Sequence, residues 1–228
     1  MLGQLKLSPG GRSRPEWSRL YGLPVLRTET DPDGFWGKHR LRKAGDTLRR
    51  AGALRVLVPK GFHGWELLEG LGLRPMETAH FLRAQSVPLA LQLLERRGTA
   101  PDRATVALRG SRSDHEMARV ATELCRQVRN LVIDTPDGTQ LADWLRRELG
   151  LPVLPPGERG EVALLFSPAS PADEELSLEL YGAEPRLAGL SLVAPALDTE
   201  DQDDLPLLAA LWEGGQLKGN DIKILDRM

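Results

Sequence analysis

The sequence predicts an α/β fold built on a mostly parallel sheet flanked by helices, and three observations carry that prediction. Helical and extended segments alternate from about residue 38 to residue 168. The extended segments Val56–Val58, Val106–Leu108, Leu131–Ile133 and Val162–Phe166 are unbroken apolar runs, the pattern of strands covered on both faces. Beyond Pro168 the pattern changes: Glu175–Gly182 alternates apolar with polar, Arg186–Pro195 reads as a more buried strand, and the short span between them suits a hairpin or close turn, so the C-terminal edge is expected to be partly antiparallel.

The elements follow in order. Arg19–Glu29 has a short apolar centre and reads as a strand or a hairpin arm. Thr30–Gly34 (TDPDG) is a turn, because Pro32 presets φ and Gly34 permits a positive one. A helix runs from about Lys38 to Ala51, with Leu41, Ala44, Leu48 and Ala51 at helical spacing and Gly52 as its stop. Ala53–Pro59 is a buried strand closed by proline. His63–Gly72, Met76–Gln85 and Pro88–Gly98 read as helices, with Ser86 as an N-cap and Gly98 as a C-cap.

The second clear strand, Arg103–Gly110, leads into a helix that opens on a Ser113–Glu116 capping box. Met117, Val120, Ala121, Leu124 and Val128 form its apolar face. Arg129–Pro136 is the third strand. The helix after it opens on a second box, Asp137 and Gln140, and turns Leu141, Trp144, Leu145 and Leu149 inward. Leu151–Leu154 lies too close to the strand Glu161–Pro168 for a standard parallel crossover, so it is either an edge extension or joined by a non-standard unit. Glu175–Gly182 and Arg186–Pro195 read as two strands joined by a hairpin or close turn. The acidic loop Asp198–Asp204 caps a helix beginning at Leu205, and Asp221–Leu225 is a terminal strand.

A boundary at Gly98–Pro101 divides an N-terminal α/β segment or lobe, residues 1–98, from an α/β domain, residues 99–228. Charge is split along the chain. Residues 1–113 carry 20 Lys/Arg against 10 Asp/Glu, and residues 114–228 carry 10 against 22. Such a split suits two halves that attract each other, or a basic face that meets an anionic partner. Apolar runs fall short of the roughly 18 residues a spanning helix needs, and the N-terminus shows no secretory signal pattern. The single Cys125 reads as a small core residue and fits a reducing, cytoplasmic home.

The chemistry concentrates at one corner. Gly110-Ser111-Arg112-Ser113 joins a strand to a helix, where backbone N–H groups and the helix dipole favour an anion. Ser111, Arg112 and Ser113 add side chains that bind phosphate, and Asp134 ends the next strand 24 residues after Gly110, where an acid can bond a ribose hydroxyl. The alternative is structural: Gly110 turns the chain, Ser113 caps the helix and Asp134 caps a loop. Ligands of open α/β sheets settle at the carboxyl ends of the strands, so Lys60, Arg109, Asp134 and Ser167 are the candidates to line one crevice.

Other chemistries are poorly represented. The four histidines, His39, His63, His80 and His115, are scattered and no cysteine pairs exist, so no metal ligand set is assigned. A Walker A loop and a Ser nucleophile elbow are missing. Ser113, Asp114 and His115 are adjacent on a helix and do not face one another. Trp144 and Trp212 lie on apolar helix faces and read as core.

The strand–turn–helix–strand–Asp pattern is similar to NAD(P)-binding Rossmann domains over about 65 residues. That resemblance implies a Rossmann-like fold with NAD or NADP as the candidate cofactor. Of the G-x-G-x-x-G glycines only Gly110 is present, with Arg112 and His115 at the other two positions. The first expectation is therefore a degenerate Rossmann-like protein that binds a small ligand or a protein partner and has no complete catalytic site. The second is an NAD(P)-dependent oxidoreductase with a non-standard phosphate loop at Arg109–Ser113. The third is a nucleic-acid-associated protein using the basic segment Lys38–Lys60, which holds eight Lys/Arg and one Asp. That segment lacks interleaved aromatics, and a solvated face paired with the acidic half is the simpler reading, so nucleic acid is not the expected partner. A homo-oligomer is compatible with the sequence, and a membrane partner is not expected.

Overall fold

The computed structural model describes residues 1–11, 14–173 and 175–226. It is mixed α/β, with mostly parallel sheets flanked by helices and one small antiparallel sheet. The chain folds into two compact units, and it visits the first unit twice. One unit is Met1–Glu77 with Ala194–Asp221; the other is Thr78–Val193 with the segment from Ile222 onward. The boundary expected at Gly98–Pro101 falls inside the second unit. There the helix ending at Arg97 and the 3-10 turn Pro101–Arg103 follow each other within one packed body.

The first unit holds strands β1 (Leu2–Leu7), β2 (Glu16–Leu20), β3 (Leu23–Thr30), β4 (Arg55–Leu57) and β5 (Arg74–Pro75) in the order β2-β3-β1-β4-β5. Only β2 runs antiparallel to its neighbour. Helices α1 (Gly37–Arg50) and α2 (Trp65–Gly70) supply Leu41, Ala44, Leu48 and Leu68 to a core that includes Leu5, Leu26, Val56 and Leu73. The β2–β3 hairpin turns on Tyr21 (φ 50°) and Gly22 (φ 87°), a two-residue turn with both central residues left-handed. Glycine takes that conformation without strain. Tyrosine does so at a cost, and its hydroxyl donates to Asp201 Oδ2 at 2.7 Å and lies 2.9 Å from Asp198 Oδ2. Burial and these carboxylates push the phenol pKa up. The contact ties the returning segment, with its helix α7 (Leu205–Glu213), to the first unit.

The second unit opens with α3 (Ala79–Ala84) and α4 (Ser86–Arg97). Its sheet comprises β6 (Thr105–Arg109), β7 (Asn130–Asp134), β8 (Val153–Leu154), β9 (Val162–Leu165) and β10 (Leu176–Glu179), with α5 (His115–Leu124) after β6 and α6 (Thr139–Leu149) after β7. The order β10-β9-β6-β7-β8 is parallel throughout, and the strand sequence reverses between β6 and β9, as in a Rossmann sheet. Leu151–Leu154 is thus an edge extension: β8 pairs with β7, while β9 pairs with β6 on the far side, so no crossover between neighbours is needed.

Three local expectations change. The strand Glu175–Gly182 does not form a hairpin with Arg186–Pro195. β10 pairs in parallel with β9, and β11 (Leu190–Val193) pairs antiparallel with β12 (Lys223–Asp226) in a separate two-stranded sheet. The reason is visible at the end of β10. There Glu179 accepts from the Arg186 amide and guanidinium, which closes residues 179–186 into a loop. Ser86 is the first residue of α4 rather than its cap, its hydroxyl donating to the Arg83 carbonyl. Trp144 is 41% exposed, because α6 turns Ala142 and Leu145 inward and rests on β7 and the two-residue β8, which gives little cover.

Candidate functional site

The corner after β6 sits where the strand order reverses, the place at which open α/β sheets take ligands. β6 is buried along its whole length, so its position is fixed by both faces of the sheet. Gly110 continues the ladder, its amide donating to the Asp134 carbonyl at 3.2 Å. Beyond it the chain turns into α5.

The polar groups of this corner engage one another. The Ser111 amide donates to Ser167 Oγ at 2.7 Å, which joins the ends of β6 and β9. The Ser113 amide donates to Asp137 Oδ1 at 2.7 Å, and the Ser113 hydroxyl reaches the Asp137 carbonyl at 3.4 Å. Asp137 therefore does not cap α6, whose N-cap is Gly138. Its carboxyl is held below the ordinary value chiefly by the Ser113 amide. The cap of α5 is Asp114 rather than Ser113: its backbone is extended and its carboxylate accepts from the Met117 amide at 2.9 Å. Arg112 is exposed.

The remaining candidates are carried by two different sheets. Lys60 follows β4 in the first unit's sheet, where its ammonium donates to the Glu200 carbonyl and pairs with Asp203. Arg109 and Asp134 belong to the second unit's sheet, and Ser167 lies just beyond its strand β9. A single sheet rim lined by Lys60, Arg109 and Asp134 is therefore not formed, because β4 and β6 belong to different sheets. Arg109 points to the same face as Ala107, not to the corner. Its guanidinium grips Glu175 through Nε (3.0 Å) and Nη2 (3.1 Å), pairs with the Asp134 carboxylate, and donates to the Glu158 carbonyl. Asp134 is thereby committed to an internal ion pair.

A second layer of charged side chains backs the corner. Arg83 of α3 pairs with Glu116 and lies 3.7 Å from Asp114. It also donates to the Phe166 carbonyl at 2.9 Å, with its guanidinium over the Phe166 ring. His80 Nδ1 lies 2.9 Å from Glu116 Oε1. No local signal marks these residues, since α3 reaches α5 only through the fold. The helix N-terminus thus faces three carboxylates of its own chain, Asp114, Glu116 and Asp137, and Arg83 offsets two of them. Among the described residues no group of three His, Cys, Asp or Glu is placed to hold a metal ion.

Glu116 provides a pH test of this layer. Burial pushes its pKa up, but the hydrogen bonds from His80 and Arg83 outweigh burial and hold it below the ordinary 4.5. A depressed acid stabilises the fold above its unfolded value and loses that contribution as pH falls through the folded value. Glu116→Gln is expected to unfold at lower urea than the parent at pH 7. The deficit should shrink from about pH 4.5 downward. A deficit equal at pH 7 and pH 3 would show that the charge of Glu116 does not stabilise the corner.

No protein-family model matches the chain, and no curated protein matches it. Among solved structures the chain is similar to the crystal structure of L-tryptophan dehydrogenase from Nostoc punctiforme, at 14% sequence identity and a TM-score of 0.33. The matched region covers 72% of this chain and 55% of that one, so the chain spans little more than half the length of the structure it resembles.

Proposed function

We propose that the chain is a binding protein built on a degenerate Rossmann-like domain, taking a small ligand or a protein partner and lacking a complete catalytic site. One observation carries this reading. Three amides of the β6–α5 corner, where a dinucleotide pyrophosphate would sit, are taken by the same chain: that of Ser111 by Ser167, that of Ser113 by Asp137 and that of Met117 by Asp114. A phosphate entering there would displace these acceptors and meet the charges of Asp114, Glu116 and Asp137. Asp134, the candidate ribose acid, is bound to Arg109. Residence in a reducing cytoplasm belongs to the same reading and is supported by the lone Cys125, a free thiol whose pKa burial pushes up. Among the described residues no helix is long and apolar enough to cross a membrane.

The second reading, an NAD(P)-dependent oxidoreductase using Arg109–Ser113 as its phosphate loop, is favoured by the strand order, which puts Gly110 at the reversal point. Thermal denaturation with NAD, NADP and ATP separates the two. A ligand at 100 times its Kd stabilises by about 2.7 kcal/mol, which raises Tm by roughly 5–10 °C for a chain of this size. The first reading expects no shift with either dinucleotide at 1 mM. A dose-dependent rise with NAD or NADP would overturn it in favour of the second.

A further inference from the structure

We propose that the first unit binds single-stranded nucleic acid on the solvent face of α1, with Phe35 and Trp36 stacking on bases and Lys38, Arg42, Lys43 and Arg49 facing phosphates. This goes beyond the reading above and does not rest on it, since it concerns the other unit.

The aromatic pair is exposed, with Phe35 at 92% and Trp36 at 62%. Two large rings left in water at the head of a basic helix form the kind of surface on which bases stack while cations track the backbone. Their turn is braced. Asp31 accepts from the amides of Asp33 and Gly10, and Arg40 donates to the carbonyls of Asp31 and Asp33. Gly37 packs so tightly on the Pro32 carbonyl that an added Cβ would overlap its oxygen. The rings are therefore presented on a fixed base, edge to face at 5.2 Å, with the Trp36 ring against His39.

The charge beside them is positive after internal pairing. Asp31 pairs with Arg40 and Asp46 pairs with Arg50. Lys38, Arg42, Lys43 and Arg49 are all exposed on α1. The structure also trims the basic segment seen in the sequence. Arg55 is paired with Glu213 and Lys60 with Asp203, so pairing with the acidic half accounts for those two and leaves α1 unaccounted for. The aromatics missing within Lys38–Lys60 stand directly before it. A bilayer fits less well, because the apolar stripe of α1, Leu41, Ala44 and Leu48, is buried in the core and leaves only the two rings to insert.

The test uses the full chain and fluorescein-labelled oligothymidylate and oligouridylate, each 20 nucleotides long, read by anisotropy at 50 mM salt. Both arms carry the same shared chemistry, and binding of either supports the proposal. Four phosphate contacts at −0.7 per contact predict that affinity falls about 50-fold between 50 and 200 mM salt. Trp36→Ala should weaken binding by about tenfold or more and leave the salt slope unchanged. Arg42→Glu with Lys43→Glu should weaken binding and flatten the slope. If Trp36→Ala melts early, Phe35→Ala provides the same comparison. Absence of binding at 50 mM salt overturns the proposal, as does binding that neither aromatic substitution weakens. It is equally overturned if phosphatidylserine-containing vesicles bind and the oligonucleotides do not. Self-association that Trp36→Ala abolishes, without oligonucleotide binding, assigns the face to a second copy of the chain and overturns it too.

Discussion

Arg109→Met is expected to destabilise the second unit by about 3–5 kcal/mol, the range for removing one partner of a buried ion pair. The Glu175 side chain is fully buried, and that of Arg109 is 5% exposed. Glu175 accepts from Arg109 twice and from the amides of Gly160 (2.8 Å) and Ala172 (2.8 Å). Removing the guanidinium leaves the buried Glu175 carboxylate without a cation inside a low-dielectric site, and takes the partner from Asp134 at its solvent-facing edge. The loss exceeds the packing a methionine restores. Arg109→Lys is not a mild change, because one ammonium cannot match the forked geometry that holds Glu175, Asp134 and the Glu158 carbonyl together. The double variant Arg109→Met with Glu175→Leu should cost less than the sum of the single changes, since the fully buried Glu175 carboxylate is then gone and only the part-exposed Asp134 is left without its cation. Urea denaturation of the four proteins measures the coupling. Additive losses, or a cost below about 1 kcal/mol for Arg109→Met, would show that this pair behaves as a solvated surface contact.

Arg109 also shows where the sequence was legible and where it was not. β6, β7 and β9 were readable because parallel strands covered on both faces leave continuous apolar runs, and α1 and α5 because their buried faces repeat at helical spacing. Sheet membership left no local trace. Val56–Leu57 looks like Val106–Leu108, yet the first is placed by β1 and β5 and the second by β7 and β9. The same holds for β10 and β11, whose patterns mark strands but do not choose their partners. At the corner, Gly110 and the helix start were visible, while the acceptors were not. Asp137 lies 24 residues from Ser113, and Glu175 lies 66 from Arg109. A buried glutamate runs against the usual exposure of that residue, so its role becomes apparent only when its donors are in place.

Gly160→Ala is expected to destabilise the same unit by about 2–3 kcal/mol, at the upper end of what overpacking costs in a tight site. Gly160 lies flat against the edge of β6. An added Cβ would sit 2.9 Å from the Thr105 carbonyl oxygen, 3.0 Å from the Ala107 nitrogen and 3.0 Å from the Val162 carbonyl oxygen. All three are backbone atoms of paired strands, so none moves without disturbing the ladder between β6 and β9. The Gly160 amide is also bound to Glu175, so displacing this residue loosens the Arg109 pair as well. Alanine stiffens the unfolded chain and recovers about 0.5–1 kcal/mol, which is too little to offset the clash. Gly70 is the control. It ends α2, and an added Cβ there meets nothing within 4 Å. Gly70→Ala should therefore be neutral or stabilising by up to about 1 kcal/mol. The contrast isolates close backbone approach from the general effect of replacing a glycine. If the two variants unfold at the same urea concentration, β6 and the loop before β9 are not in contact.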